Sequence, residues 1–220
     1  MKTALAVAAC GPRLELALAT GAAAGGLVAL AGPTPRSELV MAAVDLLLRA
    51  AGLERGALEG VVASRGPGSF TGVRVALATA QGLATALGVP AHGYSSLLAQ
   101  AARTEALECL AVQPARRGFA YAQRYVRGPA RPAPAGEPAV VALAELAGSG
   151  VAVVAPVGLA LPPGTPLAPV VRTTAEALLA LLAGEGNPDP STLTPIYLEP
   201  APATPPVRKA TPCPPSHKAI

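Results

Sequence analysis

The residues whose types and spacing could do chemistry are Gly66, Gly68, Ser69, Thr71, Gly72 and Arg74, in the stretch Val61-Val62-Ala63-Ser64-Arg65-Gly66-Pro67-Gly68-Ser69-Phe70-Thr71-Gly72-Val73-Arg74. A β-branched pair, a Gly/Pro turn and an Ala-rich run predict a strand, a tight loop and a helix over roughly residues 70 to 87. Such a junction gathers free backbone N–H groups at the positive end of a helix dipole, which suits an anion. Ser69 and Thr71 are the expected N-cap residues. The same residues equally suit a turn that binds nothing, and spacing alone leaves both readings open.

The loop departs from the common phosphate and nucleophile motifs. No Lys-Ser/Thr pair follows the glycines, as a P-loop requires. The third glycine falls one residue late for the dinucleotide fingerprint. Ser69 is flanked at two residues by Pro67 and Thr71, where a nucleophile elbow has glycines. The rest of the chain offers little catalytic chemistry. Only His92 and His217 could serve as imidazole bases, and Pro90-Ala91-His92-Gly93 reads as a turn with an ordinary exposed ring. Cys10, Cys109 and Cys213 are odd in number and far apart, so they read as reduced thiols and not as a disulfide framework or zinc site. The carboxylates show no pairing pattern. No catalytic residue, metal site or cofactor is expected.

The chain has 220 residues, is 51% hydrophobic, contains six aromatic residues and no Trp, and carries a net charge of +4. Few aromatics disfavour stacking on single-stranded nucleic acid. With Arg208, Lys209 and Lys218 in the C-terminal stretch, the remaining body is close to neutral, which disfavours tight polyanion binding. No unbroken apolar run reaches 18 residues, so no transmembrane helix is expected, and the compartment is read as the cytoplasm.

In chain order, residues 4–9 and 14–19 predict an antiparallel hairpin, Gly21 to Gly26 a turn and Leu27 to Leu30 a strand. Thr34-Pro35 should start a helix running to about Ala51 and closed by Gly52, with Thr34 as cap. Ser95 or Ser96 should cap a short helix over 95–103. Cys109 to Gln113 and Phe119 to Tyr125 predict strands turning at Arg116-Arg117. Thr174 should cap a helix from Ala175 to Ala183. The expected units are an N-terminal lobe over 1–104, a smaller lobe over 105–198, and a Pro-rich disordered tail over 199–220.

Gly66-Pro67-Gly68-Ser69-Phe70-Thr71-Gly72-Val73-Arg74, with Gly82, Gly88-Val89-Pro90 and Ser95-Ser96-Leu97, resembles the TsaB (YeaZ) family. The similarity covers roughly residues 4 to 125. Pro195-Ile196-Tyr197-Leu198 resembles the family's C-terminal strand. The resemblance implies an α/β, actin-like ATPase (ribonuclease H-like) fold of two small lobes. It further implies a non-catalytic subunit that dimerises with and activates a TsaD-type transferase forming threonylcarbamoyladenosine in tRNA. The implied company is the ATPase subunit of that complex, a homodimer when alone, and indirect contact with tRNA. Ala8, Ala9 and Cys10 stand where the family usually has Asp-Thr-Ser, so a carboxylate and two hydroxyls for nucleotide chemistry are missing. The rival reading is a small hydrolase or phosphotransferase using the Gly66–Gly72 loop.

Helix 34–51 is apolar nearly all round, which predicts burial on more than one side. Val40, Val44, Leu47 and Ala51 form one face; Leu39, Ala43, Leu46 and Ala50 form another, rotated by about 100°. One face should meet the sheet and the other a partner, making Leu39, Val40, Ala43, Val44, Leu46 and Leu47 the interface candidates.

Overall fold

The computed structural model describes residues 3–21, 23–184 and 193–199. Strand β1 (Thr3–Ala8) pairs antiparallel with β2 (Leu14–Thr20), which pairs antiparallel with β3 (Ala23–Leu30). On its other side β1 runs parallel to β4 (Gly60–Ser64), and β4 to β5 (Ala91–Tyr94). The resulting order is β3-β2-β1-β4-β5.

The sequence of β1 dictates which helices cover which face. Its Leu5 and Val7 point to one side and Ala4, Ala6 and Ala8 to the other, as the two-residue period requires. The bulky face packs on α1 (Arg36–Ala50) and α2 (Phe70–Leu87), and Leu14, Leu16, Leu18 and Val61 join the same core. The alanine face packs on α4 (Thr174–Gly184) through Ala177, Leu178 and Leu181. Alanines there leave a shallow surface that a helix can approach closely.

The second sheet runs β10 (Val153–Val154), β6 (Glu108–Pro114), β7 (Phe119–Val126), β8 (Ala133–Pro134), with β9 (Ala139–Ala142) also on β7. Between the sheets lies α3 (Ser96–Ala101), whose Leu97 and Ala101 pack on Cys109, Tyr121 and Tyr125 of the second sheet. A buried polar chain also crosses between the lobes. Glu15 accepts from Thr174 N at 2.8 Å, Gln100 Nε2 donates to Thr174 Oγ1 at 3.3 Å, and Arg103 donates to Gln100 at 2.6 Å and to Ala155 O at 2.7 Å.

Several expected boundaries shift. Strand β3 starts at Ala23 and not at Leu27, because residues 23–26 continue the ladder past a register shift between Leu18 and Ala19. Thr34 does not cap α1; Pro35 takes the cap position, with extended ψ and no side-chain cap bond. Thr173, not Thr174, caps α4, in a reciprocal box with Glu176. Pro195–Leu198 forms no sheet ladder, although it stays within the folded body. The largest change is His92. It is 3% exposed and sits in β5 opposite Val62, not in an exposed turn. Among the described residues, no helix is long and apolar enough to cross a membrane, and no group of three His, Cys, Asp or Glu side chains could hold a metal ion.

Candidate functional site

The Gly66–Gly72 loop is stitched to its surroundings on three sides. Ser69 N donates to Cys10 O at 2.9 Å, tying the loop to the end of β1. Ser96 N donates to Gly66 O at 2.8 Å, and the Ser96 hydroxyl donates to Pro67 O, tying it to α3. Ile196 N donates to Arg65 O at 2.7 Å, and Arg65 Nη1 to Thr194 O at 3.3 Å, so the 194–199 segment lies across it. A Cβ at Gly68 would stand 2.5 Å from Cys10 O, and one at Gly66 2.4 Å from Ile196 O. Both glycines also have positive φ, so no L side chain fits there. Gly72 is closed in the same way: its Cβ would stand 1.9 Å from Ala9 O.

Ser69 caps α2, its Oγ accepting from Gly72 N at 3.3 Å. Thr71 lies inside the first turn and is exposed, so it caps nothing. Arg74 stacks over Phe70, 3.9 Å from its centroid, and Phe70 meets Tyr197 at 5.2 Å between ring centroids. The six loop candidates therefore divide. Gly66, Gly68, Ser69 and Gly72 hold the strand–helix junction, while Thr71 and Arg74 face outward along α2.

The end of β1 is a buried site, and the carboxylate that lines it, Glu15 opposite Ala8, accepts from Thr174 N. Cys10 Sγ donates to Ser64 Oγ at 3.1 Å, and burial raises its pKa to about 11 despite that bond. A thiol held so high carries almost no thiolate at neutral pH and is no nucleophile. Arg36 reaches back from α1 and donates to the carbonyls of Ala9, Gly11 and Pro12 at 2.9, 2.7 and 2.9 Å. Its guanidinium is thus spent on backbone oxygens, fixing α1 to the β1–β2 turn. Burial likewise raises Cys109 to about 11 and lowers His92 below the usual imidazole value.

The helical interface candidates also divide. Val40, Ala43, Val44 and Leu47 are buried in the core, Leu39 is half-buried against it, and Leu46 is 57% exposed. Beside them runs an open groove of about 730 Å³ between α1 and α2. Val40, Met41, Val75, Ala78, Leu83 and Leu87 line it, with Thr71, Arg74 and Gly82. At one end Arg55 also lines it and makes a bidentate pair with Asp45 at 2.9 and 2.8 Å. Met41 and the apolar α2 residues of this groove, Val75, Ala78, Leu83 and Leu87, were not singled out by sequence, whereas Thr71 and Arg74 were named for the loop. Met41 lies on a third face of α1, about 90° beyond the Val40 face and nearly opposite the Leu39 face. The signal was the near absence of polar residues on α2, which does not tell an inner face from an outer one.

A family model described as TsaD, tRNA N6-adenosine threonylcarbamoyltransferase, matches residues 21–174. The chain belongs to the TsaD family. Within that family it is a TsaB (YeaZ) homologue. It is 33% identical over 99 residues, 43% of each chain, to the tRNA threonylcarbamoyladenosine biosynthesis protein TsaB of Escherichia coli (strain K12). It is 48% identical over 71 residues to an uncharacterized protein of Mycobacterium leprae (strain TN), covering 32% of this chain and 20% of that one. The matched stretches thus span less than half the length of these curated relatives. The structure of YeaZ from Pseudomonas aeruginosa superposes with a TM-score of 0.68 at 26% identity, covering 90% of this chain and 100% of that one. A second structure, titled as an uncharacterized protein with similarity to peptidase YeaZ from the same organism, gives 0.72 at the same identity and coverage. The fold is the actin-like one that the TsaB resemblance implied.

Proposed function

We propose that this TsaB homologue is a non-catalytic pairing subunit in the formation of tRNA threonylcarbamoyladenosine, docking a TsaD-type transferase along α1 and α2. The observation that carries the reading is the groove between these helices. It is open, predominantly apolar and bounded by half-exposed side chains such as Met41, which is 38% exposed. A contiguous apolar surface of this kind loses free energy to water until a partner covers it. Membership of the TsaD family and the biosynthetic role of the Escherichia coli relative TsaB favour a transferase subunit of that same complex as the occupant. Association with the ATPase subunit, a homodimer when the chain is alone, indirect contact with tRNA and a cytoplasmic location belong to the same proposal.

The Gly66–Gly72 loop is architectural in this reading. Its close approaches to Cys10, Ala9 and Ile196 support that, because they spend the loop's glycines on packing. The hydrolase or phosphotransferase alternative would need a nucleophile or base there, and the thiol beside the loop is held protonated at neutral pH.

The test is Met41→Glu against Leu47→Glu, scored by circular dichroism, light scattering with a TsaD-type partner and a reconstituted modification assay. Met41→Glu should stay folded but fail to pair or support modification. Leu47→Glu should unfold the lobe, since a carboxylate would enter the core. Leu46→Glu should stay folded, because its carboxylate meets water. If Met41→Glu pairs normally, or the wild-type chain alone modifies tRNA, the pairing-subunit reading fails.

A further inference from the structure

We propose that Arg74 is the charge anchor of the groove between α1 and α2, donating to a carboxylate that the docked transferase presents from an otherwise apolar helix. This rests on the pairing function proposed above and names the chemistry its partner must bring. The groove follows α2 from Thr71 to Leu87, about 24 Å at 1.5 Å per residue. That length suits a helix laid along it. Two of the lining residues are charged, Arg55 and Arg74. Arg55 is already matched by its bidentate pair with Asp45. Arg74 is not.

The sequence of α2 explains why. Its first turn has no acid. Thr71 and Phe70 stand three and four residues before Arg74, and Leu77 and Ala78 three and four after, so no carboxylate lies within helical reach. Among the described residues Arg74 makes no hydrogen bond and no ion pair. Its guanidinium stacks over the Phe70 ring, 3.9 Å from the centroid. That contact spends no N–H on an acceptor, so all five donors of the fork stay open.

The stack fixes where those donors stand. Phe70 meets Tyr197 at 5.2 Å between ring centroids. Tyr197 is held from both sides. On the first lobe Ile196 N donates to Arg65 O at 2.7 Å; on the second, Glu199 pairs with Arg116 and accepts from the Tyr121 hydroxyl at 3.1 Å. The guanidinium is thus backed by two rings before any partner arrives, and less side-chain freedom is lost on docking. Tyr197 is a positioning residue in this arrangement.

Desolvation selects the ligand. Val75 and Ala78 share the wall of the groove with Arg74, so a helix that covers them takes the guanidinium out of water. A buried cation without an acceptor is costly, and only paired hydrogen bonds of good geometry offset that cost. A carboxylate offers two oxygens to the fork and a full opposite charge. The partner's face should therefore be apolar along most of its length and carry one Asp or Glu near the end that meets the start of α2. An apolar helix of equal fit is rejected, because it would leave Arg74 buried and unpaired.

The experiment measures the affinity of the full chain for a purified TsaD-type transferase across a salt series. Variants are Arg74→Gln, Arg74→Lys, Tyr197→Ala, Met41→Glu and, as a control in the second lobe, Arg117→Gln, each checked by circular dichroism for a folded chain. Arg74→Gln should weaken pairing about tenfold at low salt and flatten its salt dependence. Arg74→Lys should keep the salt dependence and recover part of the affinity, since it keeps the charge and loses the fork. Tyr197→Ala should weaken pairing about threefold with the salt dependence intact. Arg117→Gln should change neither. Among single acid-to-arginine changes on the transferase, one should restore pairing to Arg74→Glu. Unchanged affinity and salt dependence in Arg74→Gln, or no restoring change among the transferase's surface acids, overturns the anchor. Pairing lost in Met41→Glu and untouched in Arg74→Gln sinks the anchor and leaves the groove as the docking place. Pairing lost in Arg74→Gln and untouched in Met41→Glu upholds the acid contact and sinks the apolar groove. A wild-type chain that pairs with no transferase overturns both.

Discussion

Two glycines of α2, ten residues apart, should respond in opposite ways to the same substitution. A Cβ at Gly82 meets nothing within 4 Å, and the residue is exposed in the interior of the helix. Gly82→Ala should therefore gain helix propensity without a clash, about 0.8–1 kcal/mol. For a chain of this size that raises the melting temperature by about 2–4 °C. At Gly72 the new Cβ would stand 1.9 Å from Ala9 O and 2.8 Å from Ala9 C, and backbone cannot swing away as a side chain can. Gly72→Ala should cost about 3 kcal/mol, at the upper end for overpacking, and lower the melting temperature by about 6–12 °C. Thermal unfolding by circular dichroism reads both. Gly82 also lines the groove, so a longer side chain there fills space that a partner would use. Gly82→Leu should keep or raise stability while weakening pairing with a TsaD-type subunit by about tenfold or more, as overpacking of about 1–3 kcal/mol implies. Isothermal titration on the purified pair checks this. A stable Gly82→Leu chain that pairs as tightly as wild type would refute the groove as the docking place. A loss of stability in Gly82→Ala would refute the placement of the helix.

Two further outcomes follow from buried or late-chain groups. His92 is buried, its Nδ1 has no hydrogen-bond partner, and burial lowers its pKa. The unfolded chain therefore binds a proton more readily than the folded one, so stability is full above the unfolded value near 6.5 and falls as pH drops below it. Urea titrations between pH 7 and 5.5 should show this decline in wild type and a flatter profile in His92→Phe; parallel profiles would contradict it. Truncation after Glu199 should leave the melting temperature unchanged. Truncation after Leu198 should lower stability slightly, by about 0.5 kcal/mol, because Glu199 pairs with Arg116 and accepts from Tyr121 in a partly exposed setting. A drop of several degrees in the first truncation would show that residues 200–220 pack on the body.

The legible parts of the sequence were those where one residue type has one physical use. The Gly66–Gly72 block showed strand, loop and helix in the right order, and α2 spans Phe70–Leu87 as its apolar run and Gly88 imply. The hairpin of residues 4–19 was equally plain. The failures have causes of the same kind. His92 was misplaced because Pro90 and Gly93 look like turn residues, yet tertiary pairing with β4 makes Ala91–Tyr94 an edge strand. Thr34 and Thr174 were expected as caps one residue off, because a hydroxyl's role depends on φ and ψ that composition does not set. The two faces compared on α1 were real, but burial on a helix follows what surrounds it. Ala43 went to the core with Val40, while Met41, unconsidered, reached the groove. Expected tail residue Glu199 proved to be held by the second sheet through Arg116 and Tyr121.

The bond from Arg65 Nη1 to Thr194 O spans 129 residues. A ribosome adding about 5–20 residues per second needs roughly 6 to 26 s to make that interval. From Tyr94 on, for the last 100 residues of that interval or about 5 to 20 s, the first lobe can have its five-stranded sheet and both helices that flank the groove, yet the start of α2 lacks Tyr197 against Phe70 and the 194–199 segment over Gly66. A nascent chain thus displays the groove between α1 and α2 before its own loop is closed. Synthesis order leaves a window in which the helix start is bare, and completion of the 194–199 segment ends it.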